Sequence, residues 1–189
     1  MSVCSVGFAT LAACSLWLVS SWNPPQRSWL VGCWIAAVVG IQGRLWCNLM
    51  DGMLAVEGGL KTPNGELYNE VPDRVADSLI LIGAGFSAGV WSPWAANWGW
   101  AAALVACSTA YVRVLGASLV GQHDFRGPMA KPHRMALLTL ACVTGAGEQF
   151  MGRTPVSLQV ALVLIVILGI VTCIRRLSGI SELMRGRVS

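Results

Sequence analysis

The stretch NLMDGMLAVEGGLKTPNGELYNEVPDRVAD, residues 48–77, decides how the chain is read. It holds Asp51, Glu57, Glu66, Glu70, Asp73 and Asp77, six of the chain's nine acidic residues. The sequence on either side is apolar enough to lie in a bilayer, so these carboxylates collect at the mouth of a membrane protein. Ionisable groups in such a place are costly and mark function.

Composition supports that reading. Of 189 residues, 55% are hydrophobic and 12% charged, and the mean hydropathy is +0.63. These values describe a polytopic integral membrane protein and not a soluble domain. The net charge of +4 comes from Lys and Arg gathered in particular loops, which reads as membrane orientation and not as a nucleic-acid footprint. No basic-aromatic stripe is present, so no nucleic-acid partner is expected. The cysteines at 4, 14, 33, 47, 107, 142 and 173 have no C-x-x-C spacing, which excludes a disulfide framework or zinc site of the usual kind.

Working outward from the acidic stretch, the chain divides into six apolar segments, expected as helices at about 3–22, 29–56, 66–89, 99–120, 135–150 and 156–174 in one transmembrane domain, 1–189. A run of about twenty apolar residues rising ~1.5 Å each spans a ~30 Å hydrocarbon core. The Pro24-Pro25, Gly58-Gly59 and Pro63-Asn64-Gly65 breaks separate the early segments. Gly85 and Gly89 form a small-x-x-x-small pair that suits close helix packing. Trp22 and Trp29 flank the first turn, and Trp91, Trp94, Trp98 and Trp100 crowd the turn before the fourth segment, as interfacial belts do. Lys61, Arg126, Lys131, Arg134, Arg175, Arg176, Arg185 and Arg187 fall on one side, against Arg27 and Arg153 on the other. The positive-inside rule then places both termini and the acidic stretch in the cytoplasm. The expected fold is an all-α bundle of six transmembrane helices, without internal repeat.

Within residues 48–77, Asn48, Asp51, Gly52 and Ala55 share one face of the second helix, at i, i+3, i+4 and i+7. Asn69, Asp73 and Asp77 share one face of the third, at i, i+4 and i+8. A tight loop makes these helices antiparallel neighbours and brings the faces together. Oxygen-only clusters of Asp and Asn suit hard divalent cations such as Mg²⁺, Mn²⁺ or Ca²⁺, and the small Gly52 and Ala55 leave room for a ligand.

These residues resemble the CDP-alcohol phosphatidyltransferases, whose pattern is D-x-x-D-G-x-x-A-R-x8-G-x-x-x-D-x-x-x-D. The spacing is met from Asn48, Asp51, Gly52 and Ala55 through Val56 and Gly65 to Asn69 and Asp73. The resemblance implies a six-helix bundle that transfers a phosphatidyl group from a CDP-linked lipid to an alcohol and releases CMP. It implies that Asn48, Asp51, Asn69 and Asp73, with Asp77 one turn further on, hold one or two Mg²⁺ or Mn²⁺ ions. Asp73 becomes the general base, and Gly52, Ala55 and Gly65 line the nucleotide. Arg113, Lys131, Arg134 and Arg126 are the implied phosphate and acceptor ligands, Arg113 because it lies inside an apolar run and needs a partner. A homodimer in the bacterial inner membrane, its site facing the cytoplasm, completes the implication.

The chain departs from the pattern at Asn48, Asn69 and Val56, which stand where the family has two aspartates and an arginine. The two asparagines halve the formal negative charge of the cluster and favour one ion over two. An anionic acceptor such as glycerol 3-phosphate suits the basic loop. A second reading is a non-catalytic relative that binds nucleotide, metal or lipid head groups. An ion-coupled transporter is disfavoured by the lack of an inverted repeat. Glu57, Glu66, Glu70, His123 and His133 are expected to be solvated bystanders.

Overall fold

The computed structural model describes residues 2–21, 27–57, 65–89, 92–121 and 124–186. Side chains at 54–69 are outside the described set, as is the whole of the loop carrying Lys61. Among the described residues six helices are present: α1 (Ser2–Ser21), α2 (Arg27–Glu57), α3 (Gly65–Gly89), α4 (Ala95–Val120), α5 (Lys131–Phe150) and α6 (Ser157–Arg185). Helix α1 packs against α2 and α3, α3 against α4, α4 against α6, and α5 closes the ring between α6 and α2.

Among the described residues three helices are long and apolar enough to cross a membrane, with spans at Trp29–Met53, Ala95–Val120 and Ser157–Arg185; Cys4–Ser20 is a shorter apolar helix. Their outer surfaces are apolar as well. Leu104, Ile35 and Ile167 are each more than half exposed, as expected of helices whose surroundings are hydrocarbon. The interior holds Leu16, Ile41, Ile80, Leu81, Leu138, Leu162 and Ile165, all fully buried. At the end of the bundle away from the acidic stretch, the buried Trp34 donates Nε1–H to Gln149 Oε1 at 2.6 Å.

Small residues set the helix spacing. An added Cβ on Gly40 would lie 2.7 Å from the Phe8 carbonyl oxygen, and one on Gly83 2.9 Å from Ala13 Cα. Gly85 and Gly99 face each other so closely that a Cβ on either would come within 2.7 Å of the other's Cα. Gly85 thus serves the expected packing role, although its near partner is Gly99 on α4, and Gly89 makes only ordinary contact.

Two helices run beyond the apolar segments that betray them. Helix α5 starts at Lys131, with Pro132 in its first turn, a position where a missing amide hydrogen costs nothing. Helix α6 continues past Cys173 to Arg185. An α-helix satisfies its own backbone, so it need not stop where the hydrocarbon does. Helix α4 ends at Gly121 with φ 73°, where the Gly121 N–H bonds back to the Ala117 carbonyl. This left-handed cap turns the chain into the loop that precedes α5.

Gly99→Val drives a branched side chain into Gly85 and the Leu81 carbonyl, and is expected to lose ~1–3 kcal/mol or more. Gly147→Ala, with nothing within 4 Å of its Cβ position, is expected to hold or gain stability. Thermal unfolding of both variants in detergent measures the difference.

Candidate functional site

Four helices bring pairs of polar residues, each pair about one turn apart, to one end of the bundle. Helix α2 supplies Arg44 and Asn48, α3 Asp73 and Asp77, α4 Thr109 and Arg113, and α5 Lys131 and Arg134. Because α2 and α3 are antiparallel, Asn48 meets Asp73 while Arg44 reaches Asp77.

Arg44 is fully buried and joins the two acids. Its Nη2 lies 2.5 Å from Asp77 Oδ1 and 3.3 Å from Asp73 Oδ1, with the Asp73 carbonyl oxygen also at 3.3 Å. The short approach to Asp77 is a charge contact whose angle is not that of an aligned hydrogen bond. Arg134, equally buried, donates Nη2–H to Asp77 Oδ2 at 3.1 Å and Nη1–H to Thr109 Oγ1 at 3.4 Å. The Lys131 ammonium pairs with Asp73 Oδ2. All four carboxylate oxygens of Asp73 and Asp77 therefore face cationic nitrogen. The two acids differ in access: the Asp73 side chain is 16% exposed, the Asp77 side chain 2%.

Ser5 of α1 orients the asparagine. Its hydroxyl donates to Asn48 Oδ1 at 3.2 Å, and Asn48 Nδ2 donates to Asp73 Oδ1 at 2.9 Å. Asn48 therefore gives Asp73 an N–H where a second carboxylate would have needed a cation between them.

A second set of charges forms the rim. Glu70 Oε1 accepts from Arg74 and from Arg113, each at 2.5 Å, and the Arg113 guanidinium lies 5.7 Å from the centre of the Phe125 ring. Arg74, Arg113 and Lys131 keep about a quarter of their side chains exposed. Beyond them the 124–130 loop is fastened to α6. Arg176, 4% exposed, donates Nε–H to the Arg126 carbonyl and Nη1–H to the Thr109 carbonyl, both at 2.9 Å. The Met129 N–H donates to Thr172 Oγ1 at 3.0 Å. Gly127, at φ 123°, passes Thr172 where a Cβ would come within 2.5 Å of its methyl group. Arg126 hydrogen-bonds Asp124 on this loop and holds that carboxyl below the usual carboxylate range.

This geometry bears on several expectations. Asn48, Asp73 and Asp77 do meet, and every described contact of the two acids' carboxylate oxygens is with a nitrogen. Arg44, Lys131 and Arg134 already surround the two acids, three positive charges against two negative, and Asn48 points its N–H inward. No group of three His, Cys, Asp or Glu able to hold a metal occurs among the described residues. Among the described residues the acids of α3 that meet α2 are Asp73 and Asp77, two of the three residues expected on that face. Glu70 is a bridge between two arginines and not a bystander. Arg134 spends its guanidinium on Asp77 and Thr109, and Arg126, 64% exposed, spends its own on Asp124.

Of the remaining expected site residues, Asp51 is half-buried and Gly52 exposed with open space beside it. The side chains at Ala55, Gly65 and Asn69 lie outside the described residues. Sequence reasoning missed Arg44, although the argument made for Arg113 applies to it: a lone arginine in an apolar helix needs a partner. Asn48, one turn away on the acid-facing side, pointed to where that partner was.

No family model matches this sequence, and no curated protein is similar to it. Solved structures are similar in fold. Mycobacterium tuberculosis phosphatidylinositol phosphate synthase with CDP-DAG bound aligns with a TM-score of 0.69 at 18% identity, over 95% of this chain and 85% of that one. The same enzyme in complex with manganese and citrate aligns at 0.67 with 19% identity, over 95% and 81%. The chain has the fold of that synthase, as the resemblance in residues 48–77 implied.

Asp77→Asn leaves the buried Arg134 guanidinium without a carboxylate partner and Arg44 with Asp73 alone. Breaking a buried pair from one side typically costs ~3–5 kcal/mol, so a large drop in unfolding temperature is expected. Asp124→Asn, whose partner Arg126 is exposed, is expected to cost no more than about 1 kcal/mol. Equal effects of the two variants on thermal unfolding would refute the central role given to Asp77.

Proposed function

We propose that the chain is an integral membrane transferase of the CDP-alcohol phosphatidyltransferase type, moving a phosphatidyl group from a CDP-activated lipid to an alcohol with release of CMP. The observation that carries this reading is a fold shared over 95% of the chain with a synthase that has been seen with CDP-DAG. Side chains of α2, α3, α4 and α5 meet in the polar centre, and two of them, Asn48 and Asp73, belong to the stretch that resembles the family.

In this reading the alcohol oxygen attacks the phosphorus of the phosphatidyl group. The bond from that phosphorus to the bridging diphosphate oxygen breaks, and CMP leaves with the electron pair. The hydroxyl proton passes to Asp73, the member of the acid pair with access from outside. Lys131 and Arg113 face the negative charge that develops on the departing phosphate, as fixed cations aimed at developing charge do. The open space at Gly52 receives the nucleotide side of the donor, with Asp51, Ala55 and Gly65 beside it. The part-exposed Lys131, Arg74 and Arg113 favour an anionic acceptor, for which glycerol 3-phosphate is the proposed example. Six membrane crossings, cytoplasmic termini, a site open to the cytoplasmic face of a bacterial inner membrane and a homodimeric state belong to the same proposal.

A second reading, a non-catalytic relative that binds nucleotide or lipid head groups, is favoured by one observation: both acids at the centre are fully ion-paired. One assay separates the two. Purified protein in lipid nanodiscs is given CDP-diacylglycerol and a panel of alcohols that includes glycerol 3-phosphate, and CMP release is followed. Release is expected with at least one acceptor, and Asp73→Asn should slow it by roughly a hundredfold to ten-thousandfold, the usual worth of a general base. No release from a preparation that still binds CDP leaves the non-catalytic reading standing.

A further inference from the structure

The space between Asp73 and Asp77, one turn apart on α3, is where a bridging metal ion would sit in a site built from carboxylates alone. Here it belongs to a side chain. Arg44 Nη2 contacts Oδ1 of both Asp73 and Asp77, and the outer oxygens of the same carboxylates are taken by Lys131 and Arg134. We infer that Arg44 and Lys131 replace a divalent cation in this protein: Arg44 holds the acid pair together, and Lys131 meets the ligand's phosphates, so that phosphate binding needs no metal ion.

Three observations converge on this assignment. The first is charge: the carboxylates of Asp73 and Asp77 are already met by three cations, and bringing a divalent ion between them would strip at least one buried cation of its partner. The second is the bonding left unmet. Arg44 Nε and Nη1 and Arg134 Nε are buried with no acceptor among the described residues. The unmet groups of the centre are thus mostly N–H donors, and what satisfies a donor is an anion or another oxygen acceptor, not a cation. The third is Asn48, which Ser5 turns so that its N–H and not its carbonyl oxygen faces Asp73. An asparagine held to ligate a metal would present the oxygen.

The two cations divide the work by access. Arg44 has no exposed surface, whereas Lys131 is 23% exposed beside Asp73, with Arg113 and Arg74 on the same rim. A diphosphate arriving at that rim exchanges water for ammonium and guanidinium donors, and charge-assisted hydrogen bonds of this kind are among the stronger ones. Only the identity of the anion, a CDP-linked diphosphate, rests on the transferase reading; the replacement of the metal does not.

The test uses the full chain in nanodiscs and two probes, CDP and inorganic pyrophosphate, titrated by calorimetry in EDTA and again with Mn²⁺. Free Mn²⁺ is followed separately by electron paramagnetic resonance. The wild-type protein is expected to take up no stoichiometric Mn²⁺ in the submillimolar range, and to bind both probes as tightly in EDTA as with Mn²⁺. Lys131→Met should weaken both by roughly tenfold to a hundredfold, the worth of one or two charged hydrogen bonds. Lys131→Met combined with Asn48→Asp turns three cations against two acids into two against three, and is expected to acquire a Mn²⁺ site that the wild type lacks. One Mn²⁺ bound per wild-type chain, probe binding that requires Mn²⁺, or no binding of either probe in EDTA would each overturn the inference. Pyrophosphate bound in EDTA while CDP is not would uphold the inference and sink the transferase reading. If the double variant does not fold, the wild-type ion measurement and the single variant decide the question.

Discussion

The Arg44 guanidinium between Asp73 and Asp77 is the constraint on which the rest of the site depends. A fully buried arginine has surrendered its hydration, and the loss is tolerable only because two carboxylates stand within 3.3 Å of one nitrogen. Each of those carboxylates then needs its remaining oxygen satisfied. Arg134 and Lys131 do this from α5, and Arg134 in turn draws in Thr109 of α4. One buried charge on α2 thereby fixes the relative placement of α3, α4 and α5. Ser5, through Asn48, adds α1.

That network can form only because the helices come close. Glycine and alanine faces at Gly40, Gly83, Gly85 and Gly99 let backbones approach to distances that any larger residue would forbid. In hydrocarbon, burial of apolar surface drives helix association weakly, so close packing and polar contacts carry more of it. The two devices are therefore linked: small residues bring the helices into range, and the ion-pair network selects which range. The Arg176 contacts to the loop carbonyl of Arg126 and to Thr109 perform the same service for the segment that delivers Lys131 and Arg134. This explains why α6 continues well past its apolar stretch. Its last turns hold the loop in place and need not lie in hydrocarbon.

Much of this was legible in the sequence. Six apolar segments separated by Pro, Gly and Asn turns announced the helix count, and the spacing of Asn48, Asp51, Asp73 and Asp77 placed the polar centre on α2 and α3 before any coordinates. What could not be read was which charges neutralise the acids. Helical periodicity says which residues share a face, but the partner of that face is set by how two helices slide along each other. The pairing of Asn48 with Asp73 and of Arg44 with Asp77 is what sets that offset. Glu70 was passed over for a related reason. It sits off the Asp73 face on α3, and its partner Arg113 comes from α4, a helix whose position no local spacing reveals.

Buried ion pairs are seldom the cheapest way to stabilise a fold, since well-packed apolar residues of the same volume often do as well or better. Their use here is better understood as specification. Suppose α3 slid by one turn against α2, so that Asp73 rather than Asp77 lay against Arg44. Asp73 would then take Asp77's place between Arg44 and Arg134, Asp77 would move off both guanidinium groups, and Asn48 and the Lys131 ammonium would face position 69, which carries no carboxylate. A polar group left unmet in this way costs ~1–3 kcal/mol or more. The polar centre thus selects one register among several that the small-residue faces permit. The same selection leaves Asp73 and Lys131, and not Asp77 and Arg44, at the accessible end of the network, so the constraint that fixes the fold also decides which acid and which cation a ligand can meet.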